Sequence, residues 1–169
     1  MLVAVDVAYG RKRAGVGAVT FTSWDAESAS TQLAQLHEIE AAAYEPGRFF
    51  QRELPLLVAP LQALAQPADA VVIDGYVQLS GDGAPGLGAH LHAALGGRTP
   101  IIGVAKTRYR GDDWSAQVLR GRSAKPLFVT AIGMAQEEAA GAVRAMAGAH
   151  RIPDRLSEVD RLARAVLAQ

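Results

Sequence analysis

The chain has 169 residues, half of them hydrophobic and a fifth charged, which suits one globular domain over residues 1–169 and excludes a disordered chain. Seventeen basic residues cancel seventeen acidic ones, so a surface for nucleic acid has to be local; Arg11, Lys12 and Arg13 form one cluster, and a broader one runs from Arg98 to Lys125. The absence of cysteine excludes disulfides, iron–sulfur clusters and thiolate zinc sites, so any metal would be oxygen-bound.

Residues 2–9 read as an apolar strand interrupted by Asp6, opening the chain with no leader pattern. Gly10 to Arg13 is a polar turn, and Ala14 to Thr22 completes an antiparallel hairpin. A buried strand seldom carries an unpaired carboxylate, because desolvating it is costly. Pairing with Arg11, Lys12 or Arg13 is the plain structural account of Asp6. Ser28 to Glu40 has features of both strand and helix and is taken as a third strand.

Tyr44-Glu45-Pro46-Gly47 is a turn signal followed by Arg48, two aromatics, Arg52 and Glu53, so Glu53 is expected near a helix N-terminus among cations. The helix is expected over 50–64, with Leu54, Leu57, Val58, Leu61 and Leu64 on one face and Pro55 in its first turn. Ala70 to Asp74 is a continuous apolar run ending in Asp74-Gly75, as expected of a central strand with both faces covered. A carboxylate at the C-terminal end of such a strand stands where open α/β sheets place their chemistry. The glycine-rich stretch from Tyr76 to Gly88 lacks the Gly-Lys-Ser/Thr of a nucleotide-binding loop.

A short helix over 87–95, a strand over 100–105 ending at Lys106, a strand over 127–131 and helices over 136–146 and 154–167 complete the chain. No apolar run approaches the roughly 18 residues of a membrane helix, so a cytoplasmic protein without a membrane partner is expected. Strands followed by strand–helix alternation predict a mixed α/β sheet, an antiparallel hairpin leading into parallel strands, in the ribonuclease H-like order.

Asp6, Glu53 and Asp74 come from distant segments, each on a regular element. If they converge, their repulsion forces a proton onto one of them unless a cation intervenes. Magnesium suits carboxylate oxygens and retained waters, and such an ion activates water and neutralises a phosphate. Lys106 adds a positive charge for the transition state. Asp74-Gly75 also reads as a plain turn, and Lys106 as a solvated lysine.

Val5-Asp6-Val7-Ala8-Tyr9, Tyr44-Glu45-Pro46-Gly47 through Arg52-Glu53-Leu54-Pro55, Ile73-Asp74-Gly75, Gly86-Leu87-Gly88-Ala89-His90-Leu91, Ile101 to Lys106 and Arg151-Ile152-Pro153-Asp154 with Val159-Asp160 resemble, in order, the motifs of the endonuclease V family. The resemblance implies a ribonuclease H-like fold and hydrolysis of a phosphodiester near a deaminated base, typically inosine, in DNA or RNA, with Mg2+ or Mn2+. It implies metal binding by Asp6, Glu53 and Asp74, an active-site role for Lys106, and a further acid at Asp160. Tyr44 matches the wedge tyrosine, and Gly86 and Gly88 fall near the pocket for the extruded base. Extrusion costs a few kcal/mol, least for damaged or mismatched bases.

The chain departs from the family pattern in starting at the first catalytic strand. Gly133 stands where a histidine is expected, Ala43 replaces a proline, and no His-Pro pair follows Asp74-Gly75. His90 matches a helix histidine expected to support structure. The alternatives are a nucleic-acid-binding homologue with little or no catalysis and a nuclease of different substrate choice. A monomer is expected.

Overall fold

A computed structural model describes residues 1–39 and 49–169. Strands β1 (Leu2–Tyr9), β2 (Arg13–Phe21) and β3 (Thr31–Glu38) form an antiparallel meander. The ambiguous third segment is therefore a strand. It lies at the sheet edge and is largely exposed, which is why its apolar pattern is weak.

Helix α1 (Phe49–Gln62) leads to β4 (Ala70–Asp74), which pairs in parallel with β1. Helix α2 (Leu87–Ala94) leads to β5 (Ile101–Ala105), parallel to β4. β6 (Ala116–Val118) and β7 (Leu127–Ile132) follow, then α3 (Gln136–Ala145) and α4 (Asp154–Leu167). The sheet order is β3-β2-β1-β4-β5-β7-β6, the ribonuclease H-like arrangement expected from the element order.

Three details differ from expectation. β7 runs antiparallel to β5, because the connection from Lys106 to Pro126 contains no crossover helix. β6 has three residues, too few to show a periodicity. Pro55 lies beyond the first turn, since α1 begins at Phe49, and Pro60 lies inside the same helix.

The sheet separates two apolar layers. Val3, Val5, Val71 and Ile73 face Leu57 and Leu61 of α1 and Leu91 of α2, so the predicted face of α1 is the buried one. Ala4, Val72, Ile102 and Val104 face Val143 of α3 and Val159 of α4. Helix α4 lies against β2 so closely that a Cβ on Gly15 would stand 2.1 Å from the Ala163 carbonyl, and one on Gly17 2.5 Å from that of Val159. Only glycine permits that approach.

Side chains alternate along a strand, so Asp6 shares the face of Ala4, Asp74 that of Val72 and Lys106 that of Val104. All three therefore point to the α4 side at one end of the three parallel strands. No helix among the described residues is long and apolar enough to cross a membrane.

Candidate active site

Val5 pairs with Ile73, so Asp6 and Asp74 stand at the next positions of neighbouring strands, whose axes lie about 4.8 Å apart. Asp74 pairs in turn with Val104, two residues before Lys106. Lys106 Nζ donates to Asp74 Oδ2 at 2.6 Å, both side chains being partly exposed. Beneath them Val104, Ile152, Leu156 and Val159 form an apolar floor.

Glu53 reaches the same end of the sheet from α1 and is only 8% exposed. Burial pushes its carboxyl up to about 8, and the charges of Asp6 and Asp74 push in the same direction. Burial likewise raises Asp6 to about 7, reinforced by Asp74 and Asp160. The Val7 N–H, donating to Asp6 Oδ1 at 2.9 Å, and the charge of Lys106 oppose that rise without cancelling it. Lys106 is held above its ordinary value: burial lowers it, but the Asp74 hydrogen bond and the charges of Asp74, Asp6 and Asp160 outweigh burial.

Asp6 has no ion pair with the hairpin cations among the described residues, so its plain structural account fails. The structure instead couples Asp6, Glu53, Asp74 and Lys106 electrostatically. They do not form a closed cage: among the described residues no group of three acidic, histidine or cysteine side chains is placed to hold a metal. Asp160 adds negative charge from α4, but its carboxylate accepts from Arg164 Nε at 2.9 and 3.0 Å.

A cleft of about 530 Å³ opens beside the acids, bordered by Phe50, Glu53, Asp74, Tyr76, Gly86, Tyr109 and Arg110 among others. Gly86 borders the cleft, whereas Gly88 is buried, where a Cβ would stand 2.7 Å from Val77 Cγ2. Both glycines let α2 approach the chain just after β4. Tyr44 lies outside the described residues. His90 stacks on Phe50 with ring centroids 3.8 Å apart, tying α2 to α1, which agrees with the structural role expected for it.

Gly133 follows β7 at the opposite end of the sheet, where Ile132 pairs with Ile101, the first residue of β5. It has φ +79°, and a Cβ there would meet Pro100 Cα at 3.1 Å. Gly133 itself therefore stands away from the acidic site.

Asp112 was not legible as part of this region. It is 2% exposed and accepts from Tyr76 Oη at 2.7 Å, Trp114 N at 3.1 Å, and the Ser115 N–H and hydroxyl. Burial works against its ionised form, but these donors outweigh burial and hold the carboxyl below its ordinary range. Tyr109 N donates to Tyr76 Oη at 3.0 Å. The loop carrying Tyr109 and Arg110 is therefore pinned beside Asp74. The available signal was an Asp-x-x-Ser spacing, Asp112 to Ser115, too common to read alone.

A family profile described as Endonuclease V matches residues 1–144. The chain belongs to the endonuclease V family. Endonuclease V of Streptomyces coelicolor is 31% identical over 193 residues, covering 98% of this chain and 78% of that protein. The structure of endonuclease V from Streptomyces avermitilis superposes with a TM-score of 0.80 at 30% identity, covering 99% of this chain and 81% of that one. Endonuclease V from Ciona intestinalis, in complex with a 24mer DNA containing an inosine followed by a ribo-adenosine, superposes with a TM-score of 0.82 at 19% identity. It covers 99% of this chain and 85% of that one, and at that identity shows the shared fold. Endonuclease V membership makes this chain a nuclease by class and extends the family resemblance beyond its separate motifs.

Proposed function

We propose that the chain is a divalent-metal-dependent endonuclease that hydrolyses a phosphodiester near a deaminated base, inosine, in DNA or RNA, in nucleic-acid repair. The observation that carries this reading is the electrostatic frustration of Asp6 and Glu53: a half-buried and a buried carboxylate raised to about 7 and about 8 beside a third acid at the mouth of a cleft. A stable core gains nothing from such an arrangement, whereas a hard cation relieves it.

All the donors are carboxylate oxygens, the chemistry that Mg2+ prefers and Mn2+ accepts. Asp6, Glu53 and Asp74 are the residues that would hold the ion. When bound, it supplies an activated water and neutralises charge growing on the phosphate. Lys106, whose ammonium meets Asp74 in the structure, would offer it to a non-bridging phosphate oxygen in the pentavalent state. The cleft bordered by Tyr76, Gly86 and Tyr109 offers aromatic surface to an extruded base, and Arg110 a cation to the adjoining phosphate. Tyr44 serves as the wedge. The Ciona intestinalis protein's complex with inosine-containing DNA supports this choice of substrate.

A second reading, a nucleic-acid-binding homologue with little or no catalysis, is favoured by two observations. Asp74 is already neutralised by Lys106, and no described group of acids forms a closed cage. Matched DNA and RNA oligonucleotides bearing inosine, uracil or no lesion, incubated with Mg2+, Mn2+ or EDTA, decide between the two. Metal-dependent cleavage confined to the inosine substrates is expected. Salt-sensitive binding without product in either metal selects the second reading, and cleavage indifferent to the lesion selects a nuclease of different substrate choice.

A further inference from the structure

Lys106 stands one residue beyond the sheet. The β5–β7 ladder closes at Ala105 and Phe128, and the β4–β5 ladder at Asp74 and Val104, so neither holds the Lys106 peptide. That peptide is held instead by Arg151, in the segment leading into α4. Its Nη2 donates to the Lys106 carbonyl at 2.5 Å and to the Pro126 carbonyl at 2.8 Å, while Nε donates to the Lys125 carbonyl at 3.0 Å. Three carbonyls from two segments are thus gathered on one planar donor set, at the point where the backbones entering β7 and leaving β5 part.

The segment presenting Arg151 is itself braced. Arg120, 6% exposed, donates to the carbonyls of Met146, Gly148 and His150, and Asp154 N donates to Ala147 O at 2.9 Å. No acid forms an ion pair with Arg151 among the described residues. Its hydrogen bonds to the protein are thus spent on backbone positions, one of them the residue whose side chain meets Asp74.

We infer that Arg151 is a positioning residue for catalysis: its guanidinium fixes the peptide from which Lys106 reaches Asp74 and the scissile phosphate. This rests on the role proposed for Lys106. A lysine side chain has four rotatable bonds, so the position of its Cα sets which part of the site its ammonium can reach. Arginine is required because one ammonium cannot serve three divergent carbonyls with the same geometry.

The test compares R151A, R151K, K106A and R151A/K106A on a DNA oligonucleotide containing one inosine, with kcat measured under saturating Mg2+ and affinity measured without divalent ion across a salt series. R151A is expected to lower kcat roughly 10- to 100-fold, the loss that a displacement of about 1 Å produces. Its affinity and salt dependence should match wild type. R151K should lie between the two and carries the comparison if R151A does not fold. In the K106A background, R151A should cost less than about twofold, because the group it positions is gone.

Equal fractional losses from R151A in both backgrounds overturn the inference and leave a general structural role. Weakened binding with a salt slope reduced by about one also overturns it, making Arg151 a phosphate ligand. Wild-type protein that binds but does not cut, or K106A that cuts as fast as wild type, removes the underlying role of Lys106 and the inference with it.

Discussion

At the scale of single residues, Glu53 and Asp6 make metal-free stability depend on pH in an unusual direction. Below about pH 4 both states of each carboxyl are protonated and folding meets no penalty. As pH rises, the unfolded chain ionises first, while the folded groups keep their protons until about 7 for Asp6 and about 8 for Glu53. Over that window the folded state binds more protons, so stability falls with rising pH, by roughly 1.4 kcal/mol per pH unit for each group still protonated in the fold. Above about 8 the penalty is complete and constant. Thermal melts from pH 5 to 9 in EDTA should therefore show a declining Tm, and millimolar Mg2+ should recover most of the loss at pH 9; a flat profile would contradict the placement of these carboxyls.

Glu53→Gln should raise the metal-free Tm at pH 9 and abolish cleavage. Asp74→Asn should lower kcat at least about a hundredfold, as loss of a charge contact made in the transition state does. Because its pair with Lys106 is partly exposed and worth at most about 1 kcal/mol, that variant should melt within about 4 °C of wild type.

At the scale of elements, two contacts hold the site's walls. Asp112 fixes the loop of Tyr109 and Arg110 against Tyr76. Asp112→Ala leaves Tyr76 Oη and two backbone N–H groups short of their acceptor, costing about 2–4 kcal/mol and lowering Tm by roughly 5–12 °C. Its kcat/KM for inosine oligonucleotides should fall further than the stability loss explains, since the loop borders the cleft. Helix α4 carries Asp160, and the segment just before it carries Arg151; α4 depends on Gly15 and Gly17 for its approach to β2. Gly15→Ala places a methyl against the Ala163 carbonyl, forcing a backbone shift that costs about 1–3 kcal/mol or more, which a urea titration would register.

At the scale of the whole molecule, zero net charge means that attraction to nucleic acid must come from where cations are placed. β1, β4 and β5 are parallel, so the hairpin tip after Tyr9 projects beyond the same end of the sheet as the acids. Gly10 lies four residues past Asp6, or about 13 Å along the strand. Arg11, Lys12 and Arg13 on that tip are exposed, and none is ion-paired among the described residues. Replacing all three with alanine should reduce the slope of log affinity against log salt by up to about three on a long duplex. It should change kcat by less than about twofold. An unchanged slope would place the nucleic acid elsewhere.

The order of the elements other than β6, the buried face of α1 and the elements that carry Asp6, Glu53 and Asp74 were legible in the sequence, because strand and helix periodicities and a carboxylate interrupting an apolar run are local signals. The direction of β7, the short β6 and the remoteness of Gly133 from the acids were not, because each depends on which strands pair, and pairing is a property of distant segments. Asp112 and Arg151 were invisible as supports for the same reason: what they hold are hydroxyls, N–H groups and carbonyls far along the chain. The sequence by itself determined which charges this protein carries and on which kind of element. Only the tertiary structure decided that Asp6 and Glu53 are desolvated together while Asp74 stays paired with Lys106, because burial and proximity, unlike periodicity, exist only once the chain has folded back on itself.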